Sequence, residues 1–513
     1  MAESRTQKSI KNASVSILFY FLNLILGFFS RKAFFDYLGS EILGLNTTAS
    51  NILGLLNLTE LGIGTAVGYF LYKPLFNKDI AEINEIVSLQ GWLYKKVAYI
   101  ILILSSITML FFPLIFAKSP LSLWYAYSTF GVLLIGAMLS YFFNYKQIVL
   151  SADQKNYKVQ SVWQGFSITK TIIQIILITY SNYPFTSWLI IELGMSILST
   201  IYIHILLKRE YPWLQSNTNQ GKELLKKYPD VWIKTKQAFF HKIGYVALSQ
   251  SSPLIIYGFT SLTMVALYGN YILIVSKIGS LIRSVFDSTS ASIGNLVASG
   301  DQKRTQEVFW ELFDSRLMIA TICLLCLFFL TQPFIELWLG PQYLLSNKFL
   351  LLYILYNSIC MTRTTVDSFL GAYGLFKDIW APFAEAILNI GFSIWLGYYW
   401  SLNGIIIGIM LSQIIVVSIW KPYFLFKEGF KIQATNYFIP LTKRYILIGL
   451  ISIGSYYYFK MFHINQISTI REFIFGAIHV SSISCIISFI VFYTSTKGTR
   501  AFTQRMIRLV KLK

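Results

Sequence analysis

LYKKVAYIILILSSITMLFFPLIFA, residues 93–117, is an apolar run whose only charges, Lys95 and Lys96, lie near one end. A helix that crosses the hydrocarbon core of a bilayer needs about 20 mostly apolar residues, because the helix satisfies its own backbone hydrogen bonds where water is absent. This run is long enough and apolar enough to cross. It therefore predicts a membrane-spanning helix.

The rest of the chain has the same character. Of the 513 residues, 55% are hydrophobic, 17% are aromatic and only 13% are charged, which is too apolar for a soluble globular protein. The sequence is thus predicted to be an all-α, polytopic membrane protein. Its spans, about fourteen in number, are predicted near residues 13–35, 42–72, 93–117, 121–145, 159–180, 186–207, 237–260, 264–296, 313–338, 347–373, 380–400, 404–426, 445–460 and 472–494.

The basic residues predict the orientation. The formal net charge is +20, and Lys and Arg are retained on the cytoplasmic side of a membrane. With the N-terminus inside, about 32 of the 43 Lys and Arg residues fall in inside segments. We expect a multi-pass protein of a bacterial inner membrane, and an even number of spans then leaves both termini in the cytoplasm. The basic tail, 497–513, is either an amphipathic segment on anionic headgroups or a flank that stops transfer.

The most polar stretch of the chain, 208–236, divides it into two halves. The predicted domains are an N-terminal six-helix lobe (1–207), a cytoplasmic linker (208–236), a C-terminal six-helix lobe (237–426), and two further helices with a basic cytoplasmic tail (427–513). YKPLFNKDIAEINEI (72–86) and ASGDQKRTQEVFWEL (298–312) occupy corresponding places in the two halves. This correspondence is typical of transporters that contain an internal repeat, and a gene-level duplication without a role in transport is the alternative.

Polar side chains form stripes on the first, second, seventh and eighth predicted helices. Such stripes predict a shared aqueous cleft, and its lining candidates are Asn23, Asn57, Ser284 and Ser288. Helix–helix packing through small and hydroxyl residues is the alternative.

Ionisable residues inside the predicted spans are the strongest functional candidates, because a charge at the bilayer centre costs at least about 2.5–3.5 kcal/mol. The cations that could bind an anionic substrate are Arg31, Lys32, Lys170, Lys277, Arg283 and Arg363. The acids that could act as charge partners or coupling groups are Glu60, Asp287 and Asp367.

Structural roles compete with these assignments. Arg283 and Arg363 each have an Asp four residues on, so a salt bridge on the helix surface is an open alternative. Arg31 and Lys32 lie at the end of the first span, where snorkelling to the interface is the alternative. Lys170 has no carboxylate on its own helix, which favours a ligand role.

No catalytic or metal-binding motif is visible. The four Cys residues lie in apolar segments, the four His residues are dispersed, and no phosphate-binding Gly-rich loop occurs. The predicted outside loops, of about 4–12 residues, are too short to build the catalytic site of a membrane polymerase or glycosyltransferase. We therefore expect a non-enzyme without cofactor or metal, with no nucleic-acid partner, driven by an ion gradient, the membrane potential or product consumption.

The stretch SRKAFFDYLGSEILGLNTTASNILGLLNLTELGIGTAVGYFLYKPLFNKD, residues 30–79, resembles the opening of the polysaccharide transport family. That family includes Wzx-type O-antigen flippases and belongs to the multidrug, oligosaccharidyl-lipid and polysaccharide exporter (MOP) superfamily. The most specific parts are YLGSEILGL and the ELGIGTA…LYKPL run. Only Arg31 and Glu60 among the candidates lie in this stretch at positions that the motif carries over directly.

The resemblance implies two six-helix bundles around a central cleft, plus two C-terminal helices. It implies export, by alternating access, of an oligosaccharide linked through pyrophosphate to undecaprenol, for O-antigen, capsule or exopolysaccharide. It also implies contact with membrane lipids and with polysaccharide polymerase and chain-length machinery, and a monomeric state. A multidrug exporter and a lipid II flippase of the same superfamily are the alternatives.

Overall fold

A computed structural model describes residues 5–57, 62–287, 290–375, 378, 380–462 and 467–511. Within these ranges it leaves aside the side chains of residues 5–17, 65, 237–238, 240–249, 280–287, 290–292 and 509–511. The chain divides into two compact units, Met1–Ala266 (unit 1) and Leu267–Lys513 (unit 2).

Unit 1 is built of helices, and α8 packs between α1 and α9. Its helices are α1 Arg5–Ala33, α2 Gly39–Leu56, α3 Ile63–Asn77, α4 Ile80–Leu110, α5 Phe112–Ile115, α6 Leu123–Phe143, α7 Ile148–Ala152, α8 Asn156–Tyr180, α9 Pro184–Glu210, α10 Gly221–Lys227 and α11 Pro229–Phe259. A π-helical turn, Phe34–Leu38, and Gly39 at φ +82° join α1 to α2. Glycine fits there because side chains with a Cβ disfavour positive φ.

Unit 2 is also helical. Its helices are α12 Leu262–Asp287, which starts in the last residues of unit 1, α13 Ser290–Ala298, α14 Gln302–Leu339, α15 Asn347–Ala372, α16 Trp380–Gln413, α17 Lys421–Phe424, α18 Thr435–Met461, α19 Ile470–Ser495 and α20 Lys497–Lys511. No strand occurs among the residues that the structure describes. The predicted all-α, polytopic fold class is confirmed.

Eleven stretches of described helix are long and apolar enough to cross a membrane. Two of them contain a break, because Leu18–Leu56 includes Gly39 and Trp380–Gly429 includes Ser401 at φ +51°. Helix α11 is not among the eleven. The count of fourteen spans stays a prediction.

The second predicted span is interrupted. Residues 42–72 were predicted as one helix, but α2 ends at Leu56 and α3 begins at Ile63. Gly62, at φ +98°, has a left-handed conformation that an α-helix cannot contain. The predicted span 264–296 falls on α12 and α13, and residues 288–289 between them lie outside the described residues.

The predicted linker, 208–236, is mostly ordered helix and docked loop. Residues 211–228 lie along the N-terminal half of α4: the Asn217 backbone N–H donates to Ser88 Oγ at 2.8 Å, and Lys95 donates to Thr218 Oγ1 at 2.6 Å. Helix α11 packs against α2 and α3. Unit 1 therefore extends to Ala266 and contains a helix that the sequence grouped with the second lobe.

The two units share one local feature, the turn that precedes α4 in unit 1 and α14 in unit 2. In unit 1, Lys78 has φ +57° and Asp79 caps α4, accepting from the backbone N–H three residues on at 3.0 Å. In unit 2, Gly300 has φ +77° and Asp301 caps α14 in the same way at 2.9 Å. These are the corresponding motifs found in the sequence.

Helix α16 reverses direction at Ser401, and its two halves pack in near backbone contact. A Cβ added at Gly404 would lie 2.0 Å from the Leu396 carbonyl oxygen, and one at Gly408 would lie 2.5 Å from the Ser393 nitrogen. Glycine lets the two backbones approach this closely, as it does at many helix interfaces in membranes.

The basic tail forms α20, which packs along α14. The backbone N–H of Gly498 donates to Asp314 at 3.2 Å, and Arg505 pairs with Glu311 at 3.2 Å. A Cβ at Gly498 would lie 2.3 Å from the Trp310 carbonyl oxygen. Neither interpretation of the tail from sequence anticipated this intramolecular packing.

Candidate functional site

The end of α1 in unit 1 carries Arg31 and Lys32. Arg31 is half-buried, donates from Nη2 to the Ala266 carbonyl oxygen at 2.6 Å, and lies over the Phe35 ring at 5.9 Å. Lys32 is exposed and pairs with Asp36 at 3.3 Å. Adjacent positions on one helix thus hold one cation inside the protein and one at its surface.

The same end of unit 1 connects α2 to the first turn of α12. The Thr263 hydroxyl donates a hydrogen bond to Glu41 and lies 3.3 Å from the Ser40 hydroxyl. A Cβ at Gly44 would lie 1.9 Å from the Leu262 carbonyl oxygen. We call these contacts the α2–α12 junction.

The two described cleft-lining candidates bond to neighbouring helices. Asn23 donates to Gln164 at 2.9 Å, which joins α1 to α8, and Asn57 accepts from Tyr141 at 3.2 Å. Both bonds are interhelical contacts of the kind that polar residues make in membranes.

Lys170, on α8, has a carboxylate partner that its own helix does not provide. Lys170 lies 2.7 Å from Glu192 on α9, and Gln174 donates to the other oxygen of Glu192 at 2.9 Å. Lys170 does lack a carboxylate on its own helix, as the sequence indicates, but the next helix in the fold supplies one and weakens the argument for a ligand role.

Within the part of the chain that the structure describes, the largest group of charges inside the spans lies in unit 2. Arg363 donates from Nε to Asp367 at 2.8 Å and from Nη1 to Glu385 at 3.1 Å. Lys421 donates to the other oxygen of Asp367 at 2.7 Å, and Gln413 donates to Glu385 at 2.7 Å. We call these five residues the α15–α17 charge network.

The charge network is neutral, with two bases and two acids. Its members come from α15, α16 and α17, so the fold and not the local sequence assembles it. The Phe309 ring packs edge-on against Phe369 at 5.2 Å and Phe426 at 5.4 Å, which fixes α15 and the segment after α17 against α14. The predicted Arg363–Asp367 salt bridge exists, within a larger set.

Sequence reasoning missed Glu192, Glu385 and Lys421. Glu192 and Glu385 each lie inside an apolar helix, and a carboxylate at such a position was itself a signal for a buried charge. Lys421 resembled an ordinary basic residue at the end of a span, and only the fold brings it to Asp367.

The remaining candidates lie on α12 or outside the described parts of the chain. Lys277 is half-buried on α12. The side chains of Arg283, Ser284 and Asp287 and the whole of Glu60 and Ser288 lie outside the described parts of the chain. Among described residues, no three His, Cys, Asp or Glu side chains lie close enough together to hold a metal ion.

No protein-family model and no curated protein matches the sequence. Solved structures do match. The lipid II flippase MurJ in an inward closed conformation superposes with a TM-score of 0.60 at 17% identity, over 93% of this chain and 99% of that chain.

Two structures of a multidrug resistance MATE family transporter of the MOP superfamily match as well. The inward-facing one has a TM-score of 0.57 at 12% identity and covers 82% of this chain and 98% of that chain. The outward-facing one has a TM-score of 0.51 at 13% identity and covers 82% and 96%. This chain is therefore a multi-pass membrane protein with the fold that these flippase and transporter structures share.

Proposed function

We propose that this protein is a flippase that carries undecaprenyl-pyrophosphate-linked oligosaccharide units across a bacterial inner membrane by alternating access, for O-antigen, capsule or exopolysaccharide synthesis. The observation that carries this proposal is the extent of the structural likeness. The alignment with the lipid II flippase structure covers 93% of this chain, whereas the alignments with the inward-facing and outward-facing multidrug transporter structures each cover 82%. Both termini lie in the cytoplasm, and the protein acts as a monomer without enzymatic activity.

Cations within the spans suit a diphosphate, because charge-assisted contacts are stronger in a low-dielectric cavity than in water. The proposed ligands are Arg31, Lys32, Lys277, Arg283 and Arg363. Lys170 is a weaker member of this set, since Glu192 already neutralises it. Glu60, Asp287 and Asp367 are the proposed charge partners or coupling groups.

The experiment is depletion of the protein in cells, with measurement of lipid-linked oligosaccharide and surface glycan. Undecaprenyl-linked repeat units should accumulate on the cytoplasmic side while surface glycan disappears. Complementation with Lys277→Ala or Arg283→Ala should reproduce the loss at normal protein abundance. Lys427→Ala is the matched control, because Lys427 is exposed and lies outside the proposed site.

Two alternatives are separated by the same experiment. The match to the lipid II flippase favours lipid II as a second candidate substrate, and accumulation of lipid II with arrested cell-wall synthesis would replace the oligosaccharide assignment. Flat lipid-linked intermediates together with increased sensitivity to cationic drugs would instead favour a multidrug exporter.

A further inference from the structure

Asp367 has an unusual place in the α15–α17 charge network. Each of its carboxylate oxygens binds one cation, Arg363 at 2.8 Å and Lys421 at 2.7 Å. The carboxylate therefore bridges two bases that come from different helices. Its side chain is nevertheless 35% exposed, the largest exposed fraction among the four charged members.

Glu385, the other acid, is held much more firmly. Its side chain is 2% exposed, and both Arg363 and Gln413 donate to its Oε1. A buried charge that loses its partners is costly, so Glu385 is expected to stay in place and to keep Arg363 oriented. Of the two acids, Asp367 is the more exposed, and its departure would leave Lys421, which is 12% exposed, in need of another anion.

A phosphate group can replace a carboxylate between two cations. The distance between two oxygens of a phosphate is similar to the distance between the two oxygens of one carboxylate. Phosphate also carries more negative charge than a carboxylate. Guanidinium and ammonium groups are the usual protein ligands of phosphate, the first through its planar set of N–H donors and the second as a point charge. Arg363 and Lys421 supply one of each.

Aromatic residues indicate the depth of this site in the membrane. Trp420 directly precedes Lys421 in the chain. Its ring centroid lies 4.7 Å from that of Trp380 and 5.8 Å from that of Tyr423. Trp and Tyr are enriched at the level of the lipid headgroups. A phosphate that reaches Lys421 at this level is therefore expected to belong to a lipid.

One further acid lies near the cations. Asp378 is close enough to Lys421 for their charges to interact, and burial raises the pKa of its carboxyl above the ordinary value, against the effect of Lys421. Burial thus disfavours the charged form of the Asp378 carboxyl group.

We propose that Arg363 and Lys421 form a binding site for the phosphate of a lipid-linked diphosphate, and that the substrate phosphate displaces the Asp367 carboxylate, which occupies the site when substrate is absent. The phosphate chemistry follows from the geometry of the network. The choice of a lipid-linked diphosphate rests on the proposed function.

The test is titration calorimetry on the full-length protein in nanodiscs of zwitterionic lipid, with farnesyl diphosphate as the probe. Asp367→Asn removes the competing carboxylate and should tighten binding by about tenfold. Arg363→Gln and Lys421→Gln should each weaken it by about tenfold or more. Lys427→Gln is the matched control, because it removes an exposed base six positions from Lys421 and should leave affinity unchanged.

Two further probes identify the source of the phosphate. Inorganic pyrophosphate should bind more weakly than farnesyl diphosphate with the same order of variants. Equal affinity for the two would overturn the lipid requirement. If only phosphatidylglycerol shows the variant pattern, the site binds a bulk lipid headgroup and the proposal is wrong.

Folding of each variant is checked by size-exclusion chromatography and thermal unfolding. If Asp367→Asn does not fold, the affinities of Lys421→Gln and Lys427→Gln for farnesyl diphosphate are compared instead. Equal affinities of these two variants would overturn the site. The binding result is independent of the cellular one. Tighter binding by Asp367→Asn without accumulation of lipid-linked oligosaccharide would sustain this site and refute the flippase, and the reverse pattern would do the opposite.

Discussion

Both units hold a glutamate inside an apolar helix, yet the two surroundings differ. Each glutamate accepts hydrogen bonds from one cation and one glutamine: Glu192 from Lys170 and Gln174, and Glu385 from Arg363 and Gln413. Among the described residues of unit 1, no further charged side chain pairs with this trio. Unit 2 adds an acid and a base, Asp367 and Lys421, on the more exposed side. A closed trio neutralises a cation permanently, whereas the larger network has a carboxylate that can be exchanged.

The largest expected change in unfolding free energy is for substitutions of the two glutamates, and the change should be greater at Glu385 than at Glu192. Glu385 is 2% exposed and Glu192 is 15% exposed. Glu385→Ala should destabilise the protein by about 3–5 kcal/mol, because it breaks a buried ion pair from one side. Glu192→Ala should cost about 1–3 kcal/mol, because water can reach Lys170. Unfolding by SDS in mixed micelles measures both.

The matched amide variants refine this first comparison. Glu385→Gln and Glu192→Gln keep the shape of each side chain and remove only its charge. If the Glu192 variants prove as destabilising as the Glu385 variants, the contrast between a closed trio and a layered network does not hold.

Close helix packing offers a second comparison. A Cβ at Gly44 in unit 1 or at Gly408 in unit 2 would lie 1.9 Å or 2.5 Å from backbone atoms, so neither neighbour can move aside as a side chain would. Each Gly→Ala variant should lose about 1–3 kcal/mol of unfolding free energy, Gly44→Ala more than Gly408→Ala.

Gly27→Ala is the control for both glycine variants. No heavy atom lies within 4 Å of a Cβ at Gly27. The substitution should stabilise α1 by about 0.5–1 kcal/mol through its higher helix propensity. A loss of stability at Gly27 equal to that at Gly44 would mean that backbone proximity is not the cause.

The repeated turn allows a third comparison. Asp79 and Asp301 make the same capping bond to α4 and α14. Asp79→Ala and Asp301→Ala should each cost about 1 kcal/mol, the usual value for an N-cap. Thermal unfolding should show similar shifts, and Asn at either position should restore most of the loss. Unequal shifts would argue against structural equivalence of the turns.

Exposed ion pairs should show the smallest effects in both units. The examples are Lys32–Asp36 in unit 1 and Arg304–Glu307 in unit 2. In each pair the two residues are about one helical turn apart, and all four side chains are exposed. Neutralising either acid should change the unfolding free energy by no more than about 0.5 kcal/mol, and 1 M salt should abolish the difference. A larger loss at Asp36 would indicate a further contact of Lys32.

The sequence was sufficient for the helical fold because each span must satisfy its own backbone hydrogen bonds. The corresponding Asp-bearing turns were also predictable, since the capping residue, the preceding left-handed residue and the helix are local in sequence. The break at Gly62 was harder to see. Gly62 has a positive φ, and the residue pattern around it did not indicate that conformation.

Charge pairing was less accessible, because partners came from different helices. The i, i+4 pair of Arg363 and Asp367 could be inferred, but Lys421 is 54 residues from Asp367 in the chain. Glu192 shows the same limit for Lys170. Helix positions in sequence reveal which face a side chain occupies and not which neighbour that face meets.

The reversal within α16 has a practical consequence for topology mapping. Only Ser401 departs from helical geometry there, and the halves on either side pack at glycine distances. A reporter or epitope inserted at Ser401 would have to separate two helix backbones that touch. Loss of its signal would therefore indicate misfolding and would not show on which side of the membrane Ser401 lies. The connection at 117–122 lies between α5 and α6, and Lys118 there donates to the Gly258 carbonyl oxygen through its long side chain at 3.1 Å. It is the better insertion point for deciding which face of the membrane these turns occupy.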